Sequence, residues 1–333
     1  MMSKLSSIAA SMAMVLLTGS AVTADDRAIT LTYSAWLPPP LLECGPLRVL
    51  SAIQNASDGR LRFEPSDNKP KPGTAYQQLV DGKADIVWEV ASYLPEQFPL
   101  TALVSLPFIA DDHIAASRAL HELAPDHLGT EFAGTRLIAL HTNALYQFHM
   151  RAPIETLDDL KGKKVRVPGP VIAAVVETLG GEPVTMPATA AVEKLANDKI
   201  DGIAIDWGPP FLPDVTSHHL ELDLTLAPFF LAMNADAYGK LPSDLRAVID
   251  SMATPETSEM LADCFTAKQA RSAINEAADH HVTTLSTEDR EAAATLLQTI
   301  TKNRLDELEA AGLAAHAFHA ELTQAIAEEQ SKR

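Results

Sequence analysis

Two distant segments of the chain share one plan: LVDGKADIVW at 79 to 88 and LANDKIDGIAIDW at 195 to 207. Each ends a helix, turns through acidic residues and a lysine, and enters an apolar strand closed by tryptophan. The stretches before them match as well. In the first, alternation in Ile29-Thr30-Leu31-Thr32-Tyr33 predicts a strand, halted at Trp36-Leu37-Pro38-Pro39-Pro40. A helix follows from about Pro46 to Ala56, stopped by Asp58-Gly59, then a strand at Leu61–Pro65, a loop from Lys69 to Gly73, a helix from Thr74 to Val80 and a strand at Asp85–Trp88. In the second, Lys164–Val167 is a strand stopped by Pro168-Gly169-Pro170. A helix runs to Leu179, closed by Gly180-Gly181, and is followed by a strand at Pro183–Pro187, a helix at Ala188–Ala196 and a strand at Ile203–Trp207.

Strands alternating with helices point to parallel βαβ units, hence an α/β fold whose two similar halves are each a mostly parallel sheet flanked by helices. A single core stops growing efficiently at about 250 to 300 residues, so the 333-residue chain is expected to form two lobes. The first would take residues 25–145 with roughly 231–257, and the second 146–230 with roughly 258–333 and the C-terminal helices. Thr254-Pro255-Glu256 reads as a kink or as a new helix start, and the run Ser258 to His280 as a helix passing between the lobes.

Residues 1–24 read as an address. Lys4 precedes a largely apolar stretch ending in MAMVLL, and small residues lead to Val22-Thr23-Ala24, the pattern of a secretory signal cleaved after Ala24. The apolar run is too short and too Ser-rich for a membrane span, so an exported protein that is not membrane-embedded is expected. Export puts Cys44 and Cys264 in oxidising surroundings, where they form either one bridge or two buried apolar thiols.

Charge narrows the partners. With 26 basic against 44 acidic residues, net −18, the chain lacks the basic footprint that displaces counterions from nucleic acid. A small anion is not excluded, because one cation can dominate a closed pocket. Open parallel sheets bind ligands beyond the carboxyl ends of their strands. All three tryptophans, Trp36, Trp88 and Trp207, fall at such ends, where they either line a shared cleft or cap hydrophobic cores. Arg166 takes approximately the place of Trp36 in the repeat, from which its guanidinium would enter that cleft. The other reading makes it one of a surface cluster with Lys161, Lys163 and Lys164.

The stretch LDDLKGKKVRVP at 157–168, with LGGEPV at 179–184 and KIDG at 199–202, resembles the periplasmic receptors of the TRAP (tripartite ATP-independent periplasmic) transporters, the C4-dicarboxylate-receptor-like family. FFLAMN at 229–234 followed by LPSDL at 241–245, and FPL at 98–100 with LPF at 106–108, continue the resemblance in the same order. It implies a two-lobed periplasmic binding protein fold with a long helix crossing between lobes, closing on an organic acid for delivery to TRAP permease membrane subunits. It also implies that Arg166 grips the ligand carboxylate, a role for which the planar guanidinium fork is suited. Sialic-acid-type members carry a second ligand arginine upstream; here that neighbourhood is Asn143-Ala144-Leu145-Tyr146-Gln147-Phe148. Asp206 either accepts from a ligand hydroxyl or amine or caps the Gly208-Pro209-Pro210 turn. Tyr93, Tyr146, Phe148 and Phe229 are further aromatic candidates. Three indoles and one cation suit a monocarboxylate with an apolar or aromatic body.

Other classes find less footing. His316 and His319 share a helical face near Glu321, and His218-His219 and His280-His281 are adjacent pairs, which keeps a metal receptor as an alternative. A non-transport ligand sensor is another. GxSxG, HExxH, GxGxxG and phosphate-loop patterns are absent, so neither cofactor nor catalysis is expected; an enzyme on this scaffold would need Asp206 or Glu89 as its base.

Overall fold

The computed structural model describes residues 27–36, 39–265 and 268–333. The expected signal segment lies outside them. Two sheets organise the chain. The first is five-stranded, from β1 (Ile29–Ser34), β2 (Leu61–Pro65), β3 (Ile86–Val90), β4 (Thr135–Thr142) and β10 (Pro228–Asn234), in the order β2-β1-β3-β10-β4. The second is six-stranded: β5 (Gln147–Met150), β6 (Lys164–Val167), β7 (Glu182–Thr185), β8 (Gly202–Ile205), β9 (His218–Glu221) and β11 (His281–Thr284), in the order β11-β9-β5-β8-β6-β7. One strand runs against its neighbours in each, β10 between β3 and β4 and β5 between β8 and β9. The other pairings are parallel, as the helix–strand alternation predicts.

The helices are α1 (Pro39–Cys44), α2 (Pro46–Ala56), α3 (Ala75–Val80), α4 (His113–His127), α5 (Pro170–Thr178), α6 (Ala188–Ala196), α7 (Leu212–Val215), α8 (Ala235–Lys240), α9 (Ser243–Met252), α10 (Pro255–Asp263), α11 (Lys268–Glu276), α12 (Thr287–Ala310) and α13 (Ala315–Ser331). Their starts follow local chemistry. Pro46 and Pro170 sit in first turns that have no use for an N–H. Thr254 accepts from the Thr257 amide and Ser286 from that of Asp289, so Thr254-Pro255 begins a new helix rather than kinking an old one. All of β3 is buried, which is why it reads as an apolar run rather than an alternation.

The Ser258–His280 stretch is two helices, not one. α10 ends at Asp263, and α11 covers Lys268–Glu276. The long helix that spans the molecule is the 24-residue α12, which packs on α5 and on α13; α13 packs in turn on α4. The chain passes between the sheets at 143–146 and returns at 222–227. These two segments are hydrogen-bonded to each other, Asn143 N to Ala227 O at 3.2 Å, Tyr146 N to Thr225 O at 2.8 Å and Leu224 N to Tyr146 O at 2.9 Å. Cys44, at the end of α1, is bonded to Cys264, just past α10, with Cα atoms 5.6 Å apart.

Candidate functional site

Arg166 lies in β6 between Val165 and Val167, both fully buried, and is itself only 1% exposed. Its Nε donates to Met186 O at 2.7 Å, Nη1 to Ala204 O at 3.3 Å and Nη2 to the Tyr93 hydroxyl at 3.2 Å. Lys161 and Lys164 are exposed and Lys163 half-buried, so Arg166 is no member of a surface cluster. Among the described residues no carboxylate lies within 4.0 Å of its nitrogens. A guanidinium carries five N–H donors; three are used here, which leaves one on each terminal nitrogen. No described carboxylate bonds directly to this buried cation, Asp206 acting on it only at longer range, and the two remaining N–H groups are available to a carboxylate.

The opposing wall comes from the first sheet. Past β3 the chain makes a 3-10 turn, Ala91–Tyr93, which places the Tyr93 hydroxyl between Arg166 and the first amide of α6, Ala188 N, at 3.3 Å. The Trp36 ring centroid is 6.0 Å from those of both Tyr93 and Trp88. Glu89 fixes Trp36: its Oε1 accepts from Trp36 Nε1 at 2.8 Å and from Val90 N at 2.9 Å, and its Oε2 from Ala75 N at 3.1 Å. Burial raises the Glu89 pKa, with these donors acting against it. With both oxygens accepting hydrogen bonds, Glu89 positions an indole. The walls meet closely: a Cβ on Gly169 would stand 2.8 Å from Ser92 O.

Between the walls lie the crossing segments. Asp206 is 4% exposed, accepting from Gly208 N at 2.6 Å and from Asn143 Nδ2. It therefore does cap the Gly208 turn, and it also ties β8 to the crossing. Burial pushes its pKa up to about 6, against the pull of those two donors and of Arg166. Asn143 Oδ1 accepts from Ala227 N at 2.8 Å, so this amide joins both crossing segments to Asp206. Tyr146 is buried beside the same groups; burial raises its pKa most, Asp206 and Tyr93 add to the rise, and Arg166 opposes it.

The three indoles do not share one surface. Trp88 lies in mid-strand, because β3 continues to Val90; it is 1% exposed, its Nε1 donates to His141 Nε2 at 3.1 Å, and its ring packs on Phe229 at 4.8 Å and Phe265 at 6.2 Å. It caps a core and backs Trp36. Trp207 lies past the end of β8, edge-on to His149 at 4.7 Å and 5.2 Å from His219. Phe148 is fully buried in β5, and Phe229 stacks between Trp88 and His141. The structure thus gathers Arg166, Tyr93, Trp36, Tyr146 and Asp206, with Trp88 and Phe229 behind Trp36, and sets Trp207 apart in ring contacts with histidines and Phe148 apart in the core. Sequence reasoning missed Asn143. Its only signal was its place in the 143–148 stretch where sialic-acid-type receptors carry their second arginine, since the bond to Asp206 spans 63 residues.

Among the described residues no group of three or more metal-ligating side chains could hold an ion. His316 is exposed and 3.0 Å from Asp306, a contact that joins α13 to α12. No described helix is long and apolar enough to cross a membrane.

A family model described as bacterial extracellular solute-binding protein, family 7, matches residues 49–307. A solved TRAP solute-binding protein from Rhodoferax ferrireducens, in complex with copurified benzoate, is 26% identical with a TM-score of 0.86, covering 91% of this chain and 99% of its own. Another from a marine metagenome, described as specific for aromatic acid ligands and co-crystallised with 3-hydroxybenzoate, is 25% identical with a TM-score of 0.86 over the same shares. A curated relative from Comamonas testosteroni, described as outer membrane transporter protein TsaT, is 26% identical over 218 residues, 60% of this chain and 62% of its own length.

Proposed function

The chain belongs to the bacterial extracellular solute-binding proteins of family 7, and from that premise we propose that it is a periplasmic receptor for a monocarboxylate with an aromatic body, which it delivers to a TRAP-type permease. One observation carries the reading: Arg166 is buried, unpaired with any acid among the described residues, and retains one N–H on each terminal nitrogen. A ligand carboxylate supplies a directly bonded counter-charge and both acceptors. Trp36 and Tyr93 offer flat apolar faces to its ring, and the Asp206 carboxylate penalises a second acid on the ligand while accepting from a hydroxyl. The benzoate and 3-hydroxybenzoate bound by the similar receptors fit this chemistry.

Closure follows from the same contacts. Tyr93 follows a strand of the first sheet and bonds to Arg166 in the second sheet and to Ala188 N at the start of α6, so these contacts join the two halves beside the cation assigned to the ligand. Ligand contacts made only when the lobes are together shift the open–closed equilibrium, and the permease would then read the closed form. Export through the signal at 1–24, with cleavage after Ala24, belongs to this reading.

A thermal-shift panel tests it. Benzoate and 3-hydroxybenzoate should raise the melting temperature, while succinate and sialic acid should not, because a ligand that binds only the folded state stabilises it. Stabilisation by dicarboxylates alone would overturn the proposal.

A further inference from the structure

Three histidines widely separated in sequence form one buried chain on the second sheet. His149 Nε2 is 3.2 Å from Ile205 O, His149 Nδ1 is 2.8 Å from His219 Nδ1, and His219 Nε2 is 3.0 Å from His280 Nδ1. His149 and His219 are fully buried and His280 is half-buried. The strand register lays this chain beside Arg166. Arg166 pairs with Ile203, Ile203 with His149, His149 with His219 and His219 with Val282, so the four named side chains up to His219 form a cross-strand row on one face.

Only one arrangement of protons satisfies the chain with neutral rings. A carbonyl can only accept, so His149 Nε2 carries hydrogen and its Nδ1 is bare. His219 must then donate from Nδ1 and accept at Nε2, and His280 must donate from Nδ1. Burial lowers the pKa of His149 and of His219, the latter to about 3, in keeping with neutral rings. Every bond therefore points inward and ends on Ile205, the last residue of β8, immediately before Asp206 and Trp207. The Trp207 ring stands edge-on against His149, and its Nε1 is buried with no partner of its own, so ring contacts rather than a hydrogen bond hold the indole.

We propose that His149, supported by His219 and His280, is a positioning residue of the ligand site: it fixes the carboxyl end of β8 and the Trp207 ring, and through that end sets Asp206 relative to Arg166. The proposal rests on the receptor reading for its effect on ligand, but its effect on Trp207 can be read without ligand.

Three variants in the full mature chain test it: His149→Leu, which removes the donor to Ile205 O; His149→Gln, which keeps an amide donor; and Leu322→Ala, a buried truncation in α13 that destabilises the fold away from this sheet. The expected result is that His149→Leu, which removes the side-chain donor to Ile205 O and the ring against Trp207, shifts the Trp207 indole N–H resonance in the ligand-free protein and weakens 3-hydroxybenzoate binding about tenfold. His149→Gln should recover most of the affinity, and Leu322→Ala should lower the melting temperature with neither effect. In the unsubstituted protein, nitrogen-15 spectra should show hydrogen on His149 Nε2 and His219 Nδ1. If His149→Leu does not fold, His280→Ala opens the chain from its outer end and should move the same indole resonance. An unmoved indole, or hydrogen on His149 Nδ1 with Nε2 bare, overturns the proposal. Absence of binding by the unsubstituted protein would overturn the receptor reading instead, while the indole resonance still decides the role of His149.

Discussion

Replacing Arg166 by alanine removes the two N–H groups left for ligand and the three that brace the site. Charge-assisted hydrogen bonds contribute about 1.5 to 3 kcal/mol each, so losing two costs about 3 to 6 kcal/mol, a weakening of about 10²- to 10⁴-fold. Lysine keeps a charge but not the fork; retaining at most one of the two bonds, it should bind roughly 10- to 100-fold more weakly than arginine. Calorimetry with 3-hydroxybenzoate measures both. Met186 O and Ala204 O lose their donors in either variant, so circular dichroism and a melt of the ligand-free protein must show that the fold survives. The decisive quantity is the ligand-induced shift relative to each variant's own melt. An Arg166→Ala protein that is folded and binds within about threefold of the original would refute the reasoning, because less than about 1 kcal/mol would then come from the fork.

Gly169→Ala would bring a Cβ to 2.8 Å from Ser92 O, forcing the walls apart; affinity should fall about tenfold with little change in the ligand-free melt, and equal affinity would show that this approach is not part of the closed form. Cys44→Ser with Cys264→Ser opens a bridge between residues 220 apart, for which loop entropy gives an upper value of about 5 kcal/mol, read as a lower denaturant midpoint that matches the reduced parent. Asp206 is held up at about 6 by burial, and a second anion at Arg166 would raise it further. Binding therefore takes up protons between its free and bound values. Affinity for a benzoate should rise by a few-fold as pH falls from 8 towards 6, and isothermal titration showing the opposite slope would place the ligand away from Asp206.

Much of the fold was legible because proline and glycine punctuate it. Pro46, Asp58-Gly59, Pro168-Gly169-Pro170 and Gly180-Gly181 mark element ends that the structure reproduces closely. Arg166 was singled out by the family resemblance, and the structure shows it buried rather than part of a surface cluster. The aromatics were less so. Trp88 and Trp207 occupy equivalent places in the two repeated segments, yet β3 runs two residues beyond Trp88 while β8 stops two before Trp207, so one indole enters a core and the other leaves the strand. Local pattern cannot register that difference, which depends on how far β10 continues alongside β3. The supports of the site were hidden for a similar reason. Glu89 reaches Trp36 across 53 residues and Asn143 reaches Asp206 across 63, contacts that exist only once the sheets are paired.

The reversed strand in each sheet governs the order in which the molecule can be assembled. β10 sits between β3 and β4 and hydrogen-bonds to both, so until residue 234 is available the first sheet is split into unconnected pieces. The second sheet gains its outer strand only at His281–Thr284. Pairings this distant in sequence form slowly, since chain entropy is lost before contacts repay it. A chain emerging from its amino end therefore cannot complete either core early. That delay suits the export proposed above, in which a chain crosses a membrane before it folds, and it places the commitment to native structure after most of the chain has emerged.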